Sequence, residues 1–290
     1  MTARFADGRE FLLRNGRLLE QRLFATCFEG AAGTGVVDAL RGYRNDDGGF
    51  GHGLEPDKLC PASLPIDVET ALSAMATAST VDLPLVHGAC DYLASVATGG
   101  AVPLAFPVIE HYPRADHWTD WTYEPALNPT AGIVSHLHEL RVDHPWIAAA
   151  EAYCWKQIDT ADLPTDAHAL REILVFLRHA PQRDRARAAA DKVRAALDTA
   201  SWFTIDPAST EYGVSPISIA PAADSPWRAL FDDGILQGHL DRLEREQQDD
   251  GGWLVTWEPP SEASLLAWRG IVTLQNLRTL VSYGRLTPDR

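Results

Sequence analysis

A group of ionisable side chains of mixed type lies between residues 52 and 69. His52, Glu55 and Asp57 fall in a stretch rich in glycine and proline, and Asp67 and Glu69 stand in the helical pattern that follows. A carboxyl withdrawn from water has its pKa raised and can act as a general acid. A histidine beside it can decide which group holds the proton. His52, Glu55, Asp57, Asp67 and Glu69 are therefore the candidate catalytic residues. For Glu55 a structural role competes: Glu-Pro recurs at Glu124 and Glu258, and a repeated residue ordinarily serves a repeated structure.

Aromatic residues gather in a second region, 106–124, with Phe106, His111, Tyr112, His117, Trp118, Trp121 and Tyr123. Aromatic faces stabilise a positive centre through the ring quadrupole, and they also stack on sugar rings. Trp118, Trp121 and Tyr123, with Trp257 and Trp268 further on, are the candidate substrate-binding residues. Arg269 joins them, because an arginine on an inner helix needs an anion, either a carboxylate or a ligand. The stretch from Trp202 to Trp227, with Asp206, Glu211, Tyr212 and Asp224, is a second irregular segment, expected to lie across the site from the first. His136 and His138 are two apart on a helix and point to different faces, which argues against a joint metal site. The sequence has no P-loop, no dinucleotide fingerprint, no Gly-x-Ser-x-Gly and no His-Glu-x-x-His, so nucleotide, dinucleotide and serine-hydrolase chemistry find no support.

Helices must position these groups. Phe11, Leu12, Leu18, Leu19, Leu23 and Phe24 mark an apolar face with Arg14, Arg17, Glu20 and Arg22 opposite. Val36 to Tyr43 begins another helix, and Asp67 to about Ala78 a third, with Asp67 as its expected N-cap. Further helices are expected near 85–97, 129–141, 146–157, 166–179, 181–200, 233–247 and 262–282. No stretch alternates convincingly enough for a strand. No linker divides the chain, so residues 1–290 are expected to form one all-α domain.

An internal repeat organises these helices. Ala39 to Phe50 ends in Asn-Asp-Asp-Gly-Gly-Phe, followed by Leu54-Glu-Pro and the Asp67 helix. Leu243 to Trp253 ends in Gln-Asp-Asp-Gly-Gly-Trp, followed by Trp257-Glu-Pro and the Glu262 helix. A partial third copy runs from Tyr123-Glu-Pro into Asn128-Pro-Thr-Ala-Gly-Ile-Val. Paired glycines admit backbone angles closed to other residues, the aspartates accept turn N–H groups, and the aromatic packs over the turn. These residues are expected to be structural.

Gln248 to Trp253 resembles the QW motif of squalene–hopene cyclases, and Asn45 to Gly51 resembles the Gly-Gly-Phe turn of protein prenyltransferase β subunits. Both belong to the prenyltransferase and squalene-oxidase repeat superfamily, terpenoid cyclase-like proteins whose fold is an α/α toroid of helical hairpins around a central cavity. The stretch Tyr43 to Asp57 also looks like a group of bacterial repeat proteins. The resemblance implies a toroid here, and an enzyme whose cavity takes a mainly apolar small molecule, with isoprenoids the class it suggests, and works by carboxylate or histidine acid–base chemistry. The sequence departs from those families at two points. Class II cyclases protonate an alkene with the middle Asp of Asp-x-Asp-Asp-Thr-Ala; here Ile66-Asp-Val-Glu-Thr-Ala71 puts Val68 there and Glu69 at the next position, leaving Asp67 and Glu69 as the local acids. The prenyltransferases hold zinc with Asp-x-Cys and a distant His; Asp57-Lys-Leu-Cys60 is one residue longer, with His52 or His239 available to complete a site, so no metal or other cofactor is the expectation. Two other functions remain open: a carbohydrate-active α/α barrel with two carboxylates, and a non-catalytic repeat protein.

The formal net charge of −15 disfavours nucleic acid and anionic membrane as partners and leaves a small-molecule substrate. Cys27, Cys60, Cys90 and Cys154 form no paired motif and suit free thiols in a reducing compartment. The first residues lack the apolar stretch of a signal peptide, and no apolar run spans a membrane, so a cytoplasmic location is expected.

Overall fold

The computed structural model describes residues 3–119, 121–160 and 162–288. The elements are α1 (Phe5–Asn15), α2 (Leu18–Phe28), α3 (Thr34–Leu40), α4 (Pro65–Thr77), α5 (Leu83–Val96), α6 (Leu127–Glu139), α7 (Pro145–Asp159), α8 (Ala167–His179), α9 (Arg183–Leu197), α10 (Pro216–Ile219), α11 (Asp233–Glu246) and α12 (Glu262–Ser282). Short 3-10 turns occupy Arg41–Tyr43, Pro107–His111, Asp116–Trp118 and Pro226–Leu230. Among the described residues extended pairing is limited to isolated bridges. The protein is all-α, and no described helix is long and apolar enough to cross a membrane.

Helix starts follow local chemistry. Asp82, Asp166, Asp232 and Ser261 each accept a backbone N–H in the first turn of α5, α8, α11 and α12. α4 begins differently from the sequence expectation. Pro65 occupies its first turn, where a missing N–H costs nothing, so the helix starts before Asp67 and Leu64 stands at the cap position. Asp67 is not the N-cap; its carboxyl turns away to the preceding loop, onto the backbone N–H of Glu55.

Packing contacts run α2–α4–α6–α8–α10, pass through α11 to α12, and return from α12 to α2. α3, α5, α7 and α9 pack against members of that succession. This order is compatible with an α/α toroid in which even-numbered helices are inner. The main core includes Leu40, Phe50, Leu72, Met75, Leu93, Ile133, Leu174, Phe176, Leu240, Trp253 and Leu277. A smaller apolar cluster of Cys60, Leu64, Ala105, Ile109, Ala115 and Trp118 fastens the 51–64 loop to the 105–118 segment. Backbone bonds from Leu59 N–H to Pro113 O and from Ala115 N–H to Asp57 O, both 2.9 Å, complete that seam.

The two full repeats fold alike at the turn. Asn45 N–H to Gly49 O and Gln248 N–H to Gly252 O measure 2.9 and 2.8 Å. Asp47 accepts Gly49 N–H at 2.9 Å, and Asp250 accepts Gly252 N–H at 3.1 Å. Gly48 and Gly251 have φ of 88° and 90°, and a Cβ on either would lie 2.4 or 2.1 Å from a neighbouring backbone carbonyl oxygen. Only glycine fits both the angle and the space.

Candidate functional site

A buried ionic network surrounds the loop that enters α4. The Lys58 side chain has no exposed surface; it pairs with Glu55 and lies 4.9 Å from the centre of the Trp118 ring. Arg17 donates to Leu54 O at 2.8 Å and to Glu20 at 2.7 Å. Asp67 accepts Glu55 N–H through Oδ1 at 2.7 Å, while its buried Oδ2 has no partner. Burial pushes the Glu55 carboxyl up against the pull of Lys58. Burial likewise raises Asp67 to about 7, with Lys58, the N–H bond and Arg17 opposing and Glu55 adding to the rise.

Asp57, two residues beyond Glu55, organises aromatic groups from three parts of the chain. The indole N–H groups of Trp257 and Trp268 donate to Asp57 Oδ1 at 3.1 and 2.6 Å. His117 Nε2 lies 3.3 Å from Oδ2. The seam between the 57–59 and 113–115 backbones is what brings His117 there. Trp257 and Trp268 meet edge to face at 5.0 Å, Tyr212 meets Trp257 at 5.7 Å, and His168 stacks on Tyr212 at 5.5 Å. Tyr212 is 42% exposed, so this row of rings borders solvent.

Two carboxyls meet at the end of that row. Glu69 of α4 and Glu172 of α8 come into hydrogen-bond contact over Gly132 of α6, the helix between them. A Cβ on Gly132 would stand 1.8 Å from Glu69 Oε1 and 2.4 Å from Glu172 Oε2. The missing side chain is the space in which the pair sits. Burial pushes Glu69 well above the ordinary carboxylate range, and Glu172 raises it further against the opposing charge of Arg171. Two touching carboxyls resist ionising together, which holds the Glu69 proton more firmly than an isolated carboxyl would. Glu69 keeps some accessible surface. His168 stands four residues before Glu172 on the same face of α8 and joins the pair to the aromatic row.

The candidate residues divide accordingly. Glu55, Asp57 and Asp67 lie together in the loop network, Glu69 in the carboxyl pair, and Trp257 and Trp268 on Asp57. Trp118 lies beneath Lys58, with Trp121 4.8 Å from it. Three residues lie apart. His52 is exposed and bonds Asn45 within the first repeated turn, at 2.9 Å. Tyr123 donates to Glu110 at 2.9 Å on the outer side of the loop. Arg269 finds its anion in Asp250 at 2.7 Å, donates to Trp253 O and lies over Phe11, so it braces the second turn. The structural role expected for Glu55 from its repetition does not carry over: Glu124 and Glu258 are exposed, and only Glu55 is buried on a lysine.

Sequence reasoning passed over Lys58, Gly132, His168 and Glu172. One signal was available for Glu172. It lies three residues after Ala169 and four before Phe176, both buried, so a carboxyl stands on an apolar stripe. The zinc donors do not assemble. His52 serves the turn, His239 bonds Ile205 O, Asp57 is taken up by the indoles, and among the described residues no group of three or more His, Cys, Asp or Glu could hold a metal. His136 and His138 diverge as expected, toward Glu139 and Glu151.

No family model and no curated protein matches the chain. Among solved structures, the crystal structure of a protein from Actinoplanes is similar, with a TM-score of 0.58 and 17% identity over 96% of this chain and 98% of that one. At that identity the likeness bears on the fold alone.

Proposed function

We propose that the chain is an acid–base enzyme acting on a mainly apolar, isoprenoid-like alkene in a toroid cavity, related to the terpenoid cyclase and prenyltransferase repeat proteins its turns resemble. The observation that carries the reading is the contact between Glu69 and Glu172, in which burial and a second carboxyl raise the pKa of Glu69, near a row of aromatic rings. Glu69 is the proton donor, and it stands at the cyclase-motif position adjacent to the missing Asp. Gly132 positions it. Asp57 fixes the indoles of Trp257 and Trp268, whose faces stabilise positive charge on the substrate. The loop network of Glu55, Lys58 and Asp67 holds Asp57 in place.

A glycosidase needs its two carboxyls about 5–10 Å apart with the sugar between them. Glu69 and Glu172 touch, which counts against the carbohydrate reading. Convergence of so many ionisable groups counts against a passive scaffold.

The test is incubation of the purified protein with acyclic isoprenoids (geraniol, farnesol, geranylgeraniol, their diphosphates and squalene), with products resolved by gas chromatography and mass spectrometry. Turnover that drops on the order of 10²-fold or more in Glu69→Gln supports the reading. Wild-type protein that converts none of them, or a Glu69→Gln variant as active as wild type, overturns it.

A further inference from the structure

An acid that makes a cation needs a partner that ends the reaction, and His168 has the attributes of one. Its Nε2 is buried with no hydrogen-bond partner. An unpaired buried polar atom is destabilising, so its persistence calls for a reason. The ring is flanked by two aromatic side chains, Tyr212 at 5.5 Å and Trp202 at 6.2 Å. Both flanking residues are among the exposed large hydrophobics, Tyr212 at 42% and Trp202 at 56%. Trp202 also has a φ of 58°, a left-handed conformation that a bulky residue seldom adopts. Such strain concentrates at functional sites. Three separate observations therefore coincide here: an unpaired nitrogen, an exposed aromatic cover, and a strained backbone under that cover.

We propose that His168 is the general base of the site, and that Trp202 and Tyr212 form a cover whose rotation admits substrate to its Nε2. This rests on the reading of Glu69 as the acid. Glu69 gives its proton to one alkene carbon, and the π pair forms the new C–H bond and leaves a cation. His168 Nε2 takes the proton from an adjacent carbon, and that C–H pair becomes the new double bond. The imidazolium returns its proton to the Glu69–Glu172 pair, one helical turn along α8. Nothing is oxidised or reduced and no co-reactant is consumed, so the product is an isomeric alkene, open or cyclised, and not an alcohol.

The charged and titratable groups around the ring agree with that role. Burial lowers the imidazole pKa; Arg171 and His117, from the 116–118 turn, lower it further, while Asp166 and Glu172 oppose. Tyr212 stacks on it as a neutral phenol, its own pKa raised chiefly by burial. The base is thus neutral at pH 7, with its lone pair available.

Two experiments test the two halves. Diethyl pyrocarbonate acylates accessible neutral imidazoles, and peptide mass spectrometry reads each histidine. His168 should be slow in wild type and fast in Trp202→Ala, with the remaining histidines unchanged as controls. A His168 equally slow in both proteins overturns the cover, whatever the substrate. The second experiment runs the isoprenoid reaction in deuterium oxide. Wild type should give an alkene carrying deuterium. His168→Gln should lose on the order of 10²-fold in kcat and the acid limb of the pH profile, with the residual product shifted toward deuterium-labelled alcohol. A His168→Gln variant with wild-type rate and an alkene product overturns the base while leaving Glu69 as the acid. Wild type with neither turnover nor deuterium uptake overturns the acid and the base together.

Discussion

The two Asp-Asp-Gly-Gly turns share one backbone, yet the loops that leave them do opposite things. After the first turn, Glu55, Asp57 and Lys58 go into the interior and meet Asp67. After the second, Leu254 and Glu258 remain exposed, and Trp257 reaches across to Asp57 of the first loop. Even the anchoring differs. Asp47 accepts the Ser63 hydroxyl at 2.7 Å, whereas Asp250 accepts Arg269 at 2.7 Å. A repeat preserves the turn because glycine geometry and carboxylate–amide bonds demand it. The loop beyond is released from that demand, so one copy can be turned into a polar interior and the other into its aromatic partner.

Several substitutions sharpen or break this contrast. The largest difference should come from the Glu-Pro pair. Glu55→Gln leaves the buried Lys58 ammonium without its partner and should cost about 3–5 kcal/mol in denaturant unfolding, whereas Glu258→Gln should change stability by less than about 0.5 kcal/mol. Similar losses would mean that the two loops are equivalent after all.

Asp67 provides a pH-dependent counterpart. Its folded carboxyl titrates at about 7, above the unfolded value of about 3.9, so the native state holds the extra proton between those limits. Stability should therefore be complete below pH 4, fall as pH rises to 7 and level off beyond, by up to about 4 kcal/mol from this group. Asp67→Asn should flatten that part of the stability profile. An unchanged slope in the variant would assign the dependence elsewhere.

The turns themselves should respond in parallel. Gly48→Ala and Gly251→Ala each add a Cβ against a carbonyl oxygen at a positive φ, and each should cost about 2–4 kcal/mol. One tolerated and one not would deny that the turns are physically the same. A smaller cost than at the glycines is expected for Arg269→Ala, about 1–2 kcal/mol from lost contacts to Trp253 O and Phe11, with catalysis intact.

Much of this fold is legible in the sequence because it depends on local rules. Apolar periodicity places α5 to α9, α11 and α12 within a few residues, and the repeated turn is readable from its glycines. The misplaced start of α4 is also local, since Pro65 allows the helix to begin before Asp67. The site is legible only in part. Glu55, Asp57 and Glu69 stand out as ionisable residues in an irregular stretch or beside a motif. Lys58 gives no such signal, because a single lysine in a loop ordinarily faces water. Gly132 and Glu172 acquire meaning only when α6 and α8 pack beside α4, across more than sixty residues of chain. Arg269 shows the converse: its helix could be foreseen, but the anion it would meet depended on which face turned toward the second repeat.

The central claim is that Glu69 holds a proton at neutral pH against Glu172. Infrared difference spectroscopy of the purified protein at pH 7.5, wild type minus Glu69→Gln, tests it without any substrate. The account predicts the carbonyl stretch of a protonated carboxylic acid in wild type, lost in Glu69→Gln and moved or lost in Gly132→Ala. A spectrum with no protonated carboxyl at that pH, or one unaltered by Glu69→Gln, would contradict it.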